Sequence, residues 1–241
     1  MCDLWRYTTR EDTPAGAIPA QIESAMRTWR ESGDVITRIK LYNASNFFDP
    51  RAVPESDYDA IARSCSPLDQ VVVESHPSLV GDRVDRFRDA LNRHLARPCQ
   101  GRRLEVAVGL ETVHPAALDG LNKRMTTDDF AHAADELRRR NVSLRVFLLI
   151  SPPFVPASEQ DEWLLKSVAF AEECGASVIS LIPTRSGNGT TEALTAQGLF
   201  RAPSAADVER SFELVTSRAT THEKRATRVL LDPWQADSHA S

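Results

Sequence analysis

The chain has 241 residues, is 41% hydrophobic and 26% charged, and carries a formal net charge of -5. This is the composition of a globular chain long enough to bury a large core without disulfide staples, and the length fits one large α/β domain better than two small ones. No basic block marks a dominant nucleic-acid surface, no run approaches the ~20 apolar residues that span a bilayer, and the four scattered cysteines (Cys2, Cys65, Cys99 and Cys174) point to a reducing cytoplasm rather than to a disulfide framework.

Apolar runs and amphipathic segments alternate along the chain. "PAQIESAMRTWRES" (19–32) spaces Ile22, Met26 and Trp29 as a helix does. A β-rich run follows at 35–42, then an acidic-led helix at 55–65 and the strand "QVVVES" at 70–75. The segment 82–96 repeats Val84, Phe87, Leu91 and Leu95 at helical spacing, and "LEVAVGLE" (104–111) is a third strand. A helix over 126–140 opens on Thr126, Thr127 and two Asp and closes on three Arg, which suits capping and the helix dipole. Strands at 144–151 and 177–184 flank a helix at 158–174 that stops at Gly175, a C-cap signal. A helix at 204–219 and a further strand at 228–234 complete the order.

The strands are nearly continuous in Val, Ile and Leu, the pattern of strands buried on both faces of a parallel sheet. The fold class expected is α/β, a βα repeat closing as a full or partial barrel or an open doubly wound sheet. Neither G-x-G-x-x-G nor a P-loop follows a strand, so a nucleotide-binding open sheet lacks its usual support. Residues 1–219 are expected to form the core, with 220–241 as a C-terminal strand and tail and "TTHEKRAT" as the nearest thing to a linker.

In a βα barrel, chemistry gathers where strands end. Asn43, Ser45 and Asn46 follow the first strand, and Glu74, Ser75 and His76 the second. Glu111, Thr112 and His114 follow the third, Ser151 the fourth, and Thr184, Arg185, Ser186 and Asn188 the fifth. Asn, Ser and Pro are also ordinary turn formers, and a lone His before Pro is more often structural than catalytic. A carboxylate at the end of an apolar strand, such as Glu74 or Glu111, is costly to bury without a partner. "RSGNG" reads either as a flexible loop or as a row of backbone N–H groups for an anion. No zinc-ligand spacing and no G-x-S-x-G is present.

The opening "MCDLW" resembles the end of the C-x-x-x-C-x-x-C signature of radical S-adenosylmethionine enzymes. "LYNASNFFDPRAVP", "VVVESHP", "LEVAVGLET", "LNKRMTTDDF" and "GASVISLIPTRSGNG" follow in the order of that family's core, in the branch of the Elongator catalytic subunit and the archaeosine-synthase radical subunit. The resemblance implies a partial (β/α)6-type TIM-like barrel lacking its first strand. It implies a [4Fe–4S] cluster held by three cysteines, and S-adenosylmethionine cleaved to a 5′-deoxyadenosyl radical that abstracts hydrogen from a substrate, with a nucleoside in RNA as one candidate. Cys2 matches the third cluster cysteine and Met1 the residue near the adenine. Asn43 and Ser45 match the binders of the methionine amino group. Glu111 matches the carboxylate facing the ribose or methionyl part, and Lys123 or Arg124 could meet the methionyl carboxylate. Ser151, Pro183 and Thr184 match positions flanking adenosine, with Arg185 in the same loop; Glu74, His76 and Arg185 point to the substrate side, Glu74 and His76 as the catalytic candidates. An electron donor such as flavodoxin or ferredoxin is implied as a partner, in the cytoplasm and without a membrane.

The chain as given begins inside the cysteine motif. Two further cysteines and a first strand are expected ahead of Cys2, since one thiolate does not hold a cubane and Cys65, Cys99 and Cys174 fall outside the motif. The alternatives are a degenerate, non-catalytic barrel that binds S-adenosylmethionine or a protein partner, and an unrelated βα-barrel hydrolase or aldolase.

Overall fold

The computed structural model describes residue 8 and residues 11–95, 103–218 and 227–232. Among them the strands are β1 (Arg38–Leu41), β2 (Gln70–Glu74), β3 (Leu104–Glu111), β4 (Ser143–Ile150), β5 (Val178–Pro183) and β6 (Arg228–Leu231). The helices are α1 (Ala17–Ser32), α2 (Tyr58–Ser64), α3 (Asp82–Arg93), α4 (Pro115–Gly120), α5 (Thr127–Arg139), α6 (Gln160–Glu173), α7 (Thr190–Ala196) and α8 (Ala205–Ser217). The strands are hydrogen-bonded neighbours in chain order, and β1–β2, β2–β3, β4–β5 and β5–β6 are parallel. Parallel neighbours cannot be joined by hairpins, which is why a helix stands between each two strands from β1 onward. Val71, Val72, Val73, Val106 and Ala107 are fully buried, the physical reason these strands carry no polar alternation.

Among the described residues the chain divides into two compact units. The first holds the described residues from Thr8 to Val108 together with Asp135–Leu144. Its aromatic centre is Phe47, which lies 5.8 Å from Tyr58 in a stacked arrangement and 4.6 Å from Phe87. Burial pushes the Tyr58 phenol up to about 12. Asp57 accepts the Gly16 N–H at 2.9 and 3.0 Å and so fixes the start of α1 from the turn that precedes α2.

The second unit holds Gly109–Ala134 and the chain from Arg145 onward. Leu110, Phe130, Leu148, Val168, Ile179 and Leu181 fill its core. Helix α8 opens on a reciprocal cap: Ser204 Oγ accepts the Asp207 N–H at 3.2 Å, and Asp207 accepts the Ser204 N–H at 3.0 Å. The Ser204 backbone and hydroxyl bonds, with Arg201 and Arg210, hold the Asp207 carboxyl far below the usual carboxylate range.

Three departures from the sequence pattern have physical causes. Helix α3 ends at Arg93 rather than near residue 96, because His94 turns to meet Asp59 at 2.7 Å. Helices α4 and α7 have six and seven residues, too few for a 3.6-residue period to show. The expected starts of α2 and α6 are 3₁₀ turns, Glu55–Asp57 and Ala157–Glu159, each following a proline.

Candidate active site at the strand ends

The end of β3 carries the most constrained arrangement in the second unit. Glu111 has φ 66°, and the Thr112 N–H turns back to the Leu110 carbonyl at 2.8 Å. A bond across two residues with a positive φ between them is the strained form of γ-turn, costing on the order of 1–3 kcal/mol at a non-glycine residue. The turn swings the carboxylate out of the strand's alternation onto Lys123, whose Nζ donates to Oε1 at 2.7 Å. Lys123 itself is delivered by two left-handed neighbours, Asn122 (φ 53°) and Arg124 (φ 51°). The pair is mostly shielded from water, with side chains 24% (Lys123) and 18% (Glu111) exposed.

Two residues not singled out from sequence hold this arrangement. A Cβ on Gly109 would sit 2.5 Å from Glu111 Oε1 and 3.0 Å from Lys123 Nζ, so the pair occupies the space that glycine leaves. The signal was a glycine inside an otherwise apolar strand, which marks close approach. Ser167 of α6 binds the loop from outside: its Oγ accepts the Val113 N–H at 3.0 Å and lies 3.4 Å from Thr112 Oγ1. No spacing in the sequence connects Ser167 to β3. His114 closes the loop as a cap, its Nδ1 accepting the Ala117 N–H at 3.1 Å with Pro115 in the first turn of α4 and its ring 4.6 Å from Trp163.

Left-handed residues recur beyond β4, at Ser151 (φ 55°) and Phe154 (φ 67°). Ser151, Phe154, Gln160, Phe200 and Arg201 are among the residues around a cavity of about 420 Å³. Gln160 spends both amide N–H groups on the Pro152 and Val155 carbonyls, and its Oε1 is buried without a partner. Thr184 stitches β5 to β4, with its N–H and hydroxyl both donating to the Ile150 carbonyl at 3.0 and 2.9 Å; Pro183 stands opposite Ile150 in the ladder and Arg185 is exposed. The glycine loop offers no row of open N–H groups: Gly187 and Gly189 donate to Glu192 at 2.5 and 2.7 Å, and these bonds hold that carboxyl below its usual range.

In the first unit the ends of β1 and β2 are laced together. Asn43 Oδ1 accepts the Ser45 N–H at 2.9 Å, and Ser45 Oγ reaches Asp49 at 3.3 Å. Asn46 Oδ1 accepts the His76 N–H at 2.7 Å, and the Phe47 N–H donates to the Glu74 carbonyl at 2.9 Å. The His76 ring caps the turn Pro77–Leu79, its Nδ1 accepting the Ser78 N–H at 3.2 Å. Glu74 is half-buried at the end of β2.

Met1 and Cys2 lie outside the described residues, as does Cys99. Cys65 is fully buried and Cys174 half-buried, and burial pushes both thiols up to about 11, away from the thiolate that metals bind. Among the described residues no group of three or more His, Cys, Asp or Glu could hold a metal ion. Among them no helix is long and apolar enough to cross a membrane.

No protein-family model matches the chain. Archaeosine synthase subunit beta from Methanosarcina acetivorans is 29% identical over 189 residues, covering 76% of this chain and 52% of that protein. Among solved structures, Elp3 from Methanocaldococcus infernus superposes with a TM-score of 0.64 at 13% identity, over 91% of this chain and 53% of its own. The radical S-adenosylmethionine enzyme coproporphyrinogen III oxidase from Escherichia coli superposes with a TM-score of 0.51 at 10% identity, over 86% of this chain and 46% of its own. The chain is similar in sequence to archaeosine synthase subunit beta, and it shares its fold with Elp3 and coproporphyrinogen III oxidase. Its fold class is α/β, a partial TIM-like barrel. The chain spans about half the length of the curated relatives it matches.

Proposed function

We propose that this radical S-adenosylmethionine barrel binds S-adenosylmethionine at its strand ends and acts on a nucleoside of RNA, with the Glu111–Lys123 pair as the observation that carries the reading. S-adenosylmethionine presents a carboxylate beside an amino group and a sulfonium. A shielded lysine beside a carboxylate offers the opposite charges: Lys123 for the methionyl carboxylate, Glu111 for the ribose hydroxyls or the cationic part. The strained turn at Glu111 and the space at Gly109 hold the pair in place before a ligand arrives. Asn43 and Ser45 would receive the methionine amino group, and Ser151, Pro183, Thr184 and Arg185 would flank the adenosine. Glu74 and His76 would serve the substrate side.

Cys2, with two cysteines placed ahead of it in the three-cysteine spacing, would hold the cluster, whose chemistry is to supply the electron that cleaves the sulfonium. That electron would come from a flavodoxin or ferredoxin of the cytoplasm. The RNA part of the reading comes from the relationship to archaeosine synthase subunit beta.

The test is anaerobic iron–sulfur reconstitution of this chain and of one extended upstream to complete the cysteine motif. A cluster absorption band and 5′-deoxyadenosine are expected from the extended chain alone. Equal cluster loading in both would refute the role given to Cys2 and its upstream partners. S-adenosylmethionine binding without cleavage in either would favour the non-catalytic barrel instead.

A further inference from the structure

The first unit carries an arginine-rich face that the strand-end chemistry does not use. Arg30, Arg63 and Arg93 occupy the last turns of α1, α2 and α3, where cations suit the helix dipole. The dipole does not account for Arg27, nor for the groove of about 330 Å³ between α1 and α2 lined by Glu23, Arg27, Arg30, Arg63 and Ser64. Arg27 and Arg30 are exposed, and among the described residues neither meets a carboxylate. Nearby arginines behave otherwise: Arg83 and Arg86 share Glu55, and Arg88 takes Asp85 and Asp89. Asp59 is already claimed by Arg63 at 2.8 Å, Arg93 at 3.6 Å and His94 at 2.7 Å. Arg27 and Arg30 thus have no carboxylate partner among the described residues, while Arg63 and Arg93 share Asp59, on a chain of net charge -5.

We infer that this arginine face binds the phosphodiester backbone of the RNA substrate, an inference that rests on the RNA part of the proposed function. Guanidinium forks match phosphate oxygens two at a time, and the groove has room for a phosphodiester between Arg27 and Arg30 on one wall and Arg63 on the other. Such contacts carry no sequence information; they grip and orient the polyanion. In a βα unit the helices run back against the strands, so the C-terminal turns that hold Arg30, Arg63 and Arg93 lie at the end opposite Asn43 and Glu74. The face therefore sets RNA affinity and leaves S-adenosylmethionine chemistry alone.

The test is fluorescence anisotropy of a labelled double-stranded RNA hairpin with the full chain, the Arg27→Glu/Arg30→Glu variant and the Arg27→Lys/Arg30→Lys variant. The charge reversal is expected to weaken binding at least about tenfold and to flatten the salt slope by about one for each phosphate no longer gripped, while the lysine pair retains most affinity. Both residues are exposed; should the reversal lower the melting temperature, Arg27→Gln/Arg30→Gln replaces it with the same expected direction. Unchanged affinity and slope would overturn the inference, as would a wild-type chain that does not bind the RNA. Displacement by polyglutamate as readily as by RNA would also overturn it, in favour of an acidic protein partner. S-adenosylmethionine cleavage by the extended chain carrying the reversal is expected to match wild type, so the strand-end reading stands or falls separately.

Discussion

The loops after β2 and β3 are built from the same residue types and end up differently. After β2 the chain reads Glu74-Ser75-His76-Pro77; after β3 it reads Glu111-Thr112-Val113-His114-Pro115. In both, a histidine Nδ1 accepts a backbone N–H and a proline opens the next helical turn. The difference is one residue. The β2 loop has no slack, so the ladder continues and the Ser75 N–H still bonds the Ala107 carbonyl at 3.0 Å. The β3 loop absorbs its extra residue in the turn at Glu111, whose carboxylate meets Lys123. A single additional residue thus accompanies the left-handed turn that aims the terminal carboxylate of β3 at Lys123. The histidines act as pins for the two loops, and what separates the loops is backbone conformation.

The largest effect on this pair of loops is expected from beneath the β2 loop. Phe47 packs the aromatic centre of the first unit and its N–H holds the Glu74 carbonyl. Phe47→Ala is expected to lower unfolding free energy by about 3–5 kcal/mol, measured by urea titration. An effect below about 1 kcal/mol would show that the β2 loop does not depend on that packing. Ser167→Ala removes the clamp on the β3 loop and is expected to cost about 1–2 kcal/mol, because the Val113 N–H loses its acceptor. It should also raise amide exchange at Val113 more than at His76.

Acid is expected to act on the second unit through Asp207. Its carboxyl is depressed in the folded chain, so its contribution is present above the unfolded value of about 3.9 and is lost as pH falls through the lower folded value. Stability followed from pH 5 to pH 2 should therefore fall less steeply in Asp207→Asn than in wild type; parallel curves would count against the cap. The smallest effect belongs to His76→Asn. Asn is a good cap, so stability should change by less than about 0.5 kcal/mol, and a larger loss would mean that the ring does more than cap.

Much of the fold was legible because the strands are buried on both faces. The run 104–111 coincides with β3 residue for residue, since an apolar stretch bounded by polar turns leaves little choice of limits. Helices α4 and α7 were not legible, being shorter than two helical turns. Glu111 and Lys123 were legible as candidates through their family positions, but their contact was not, because it depends on left-handed φ at Glu111, Asn122 and Arg124, where no glycine announces it. The closure of the "RSGNG" loop on Glu192 was hidden for a related reason: an acidic residue two positions into a short helix reads as dipole compensation.

The reading of the strand ends rests on the turn at Glu111 and the space at Gly109 preparing a site for S-adenosylmethionine. It is tested by the S-adenosylmethionine dissociation constant of the cluster-loaded extended chain, beside its Glu111→Gln and Gly109→Ala forms. Both substitutions are expected to weaken binding by roughly tenfold, about 1.4 kcal/mol, while Gly109→Ala leaves the melting temperature nearly unchanged because the added methyl displaces only the flexible ends of Glu111 and Lys123. Wild-type affinity in both variants would mean that the turn and the glycine prepare no such site.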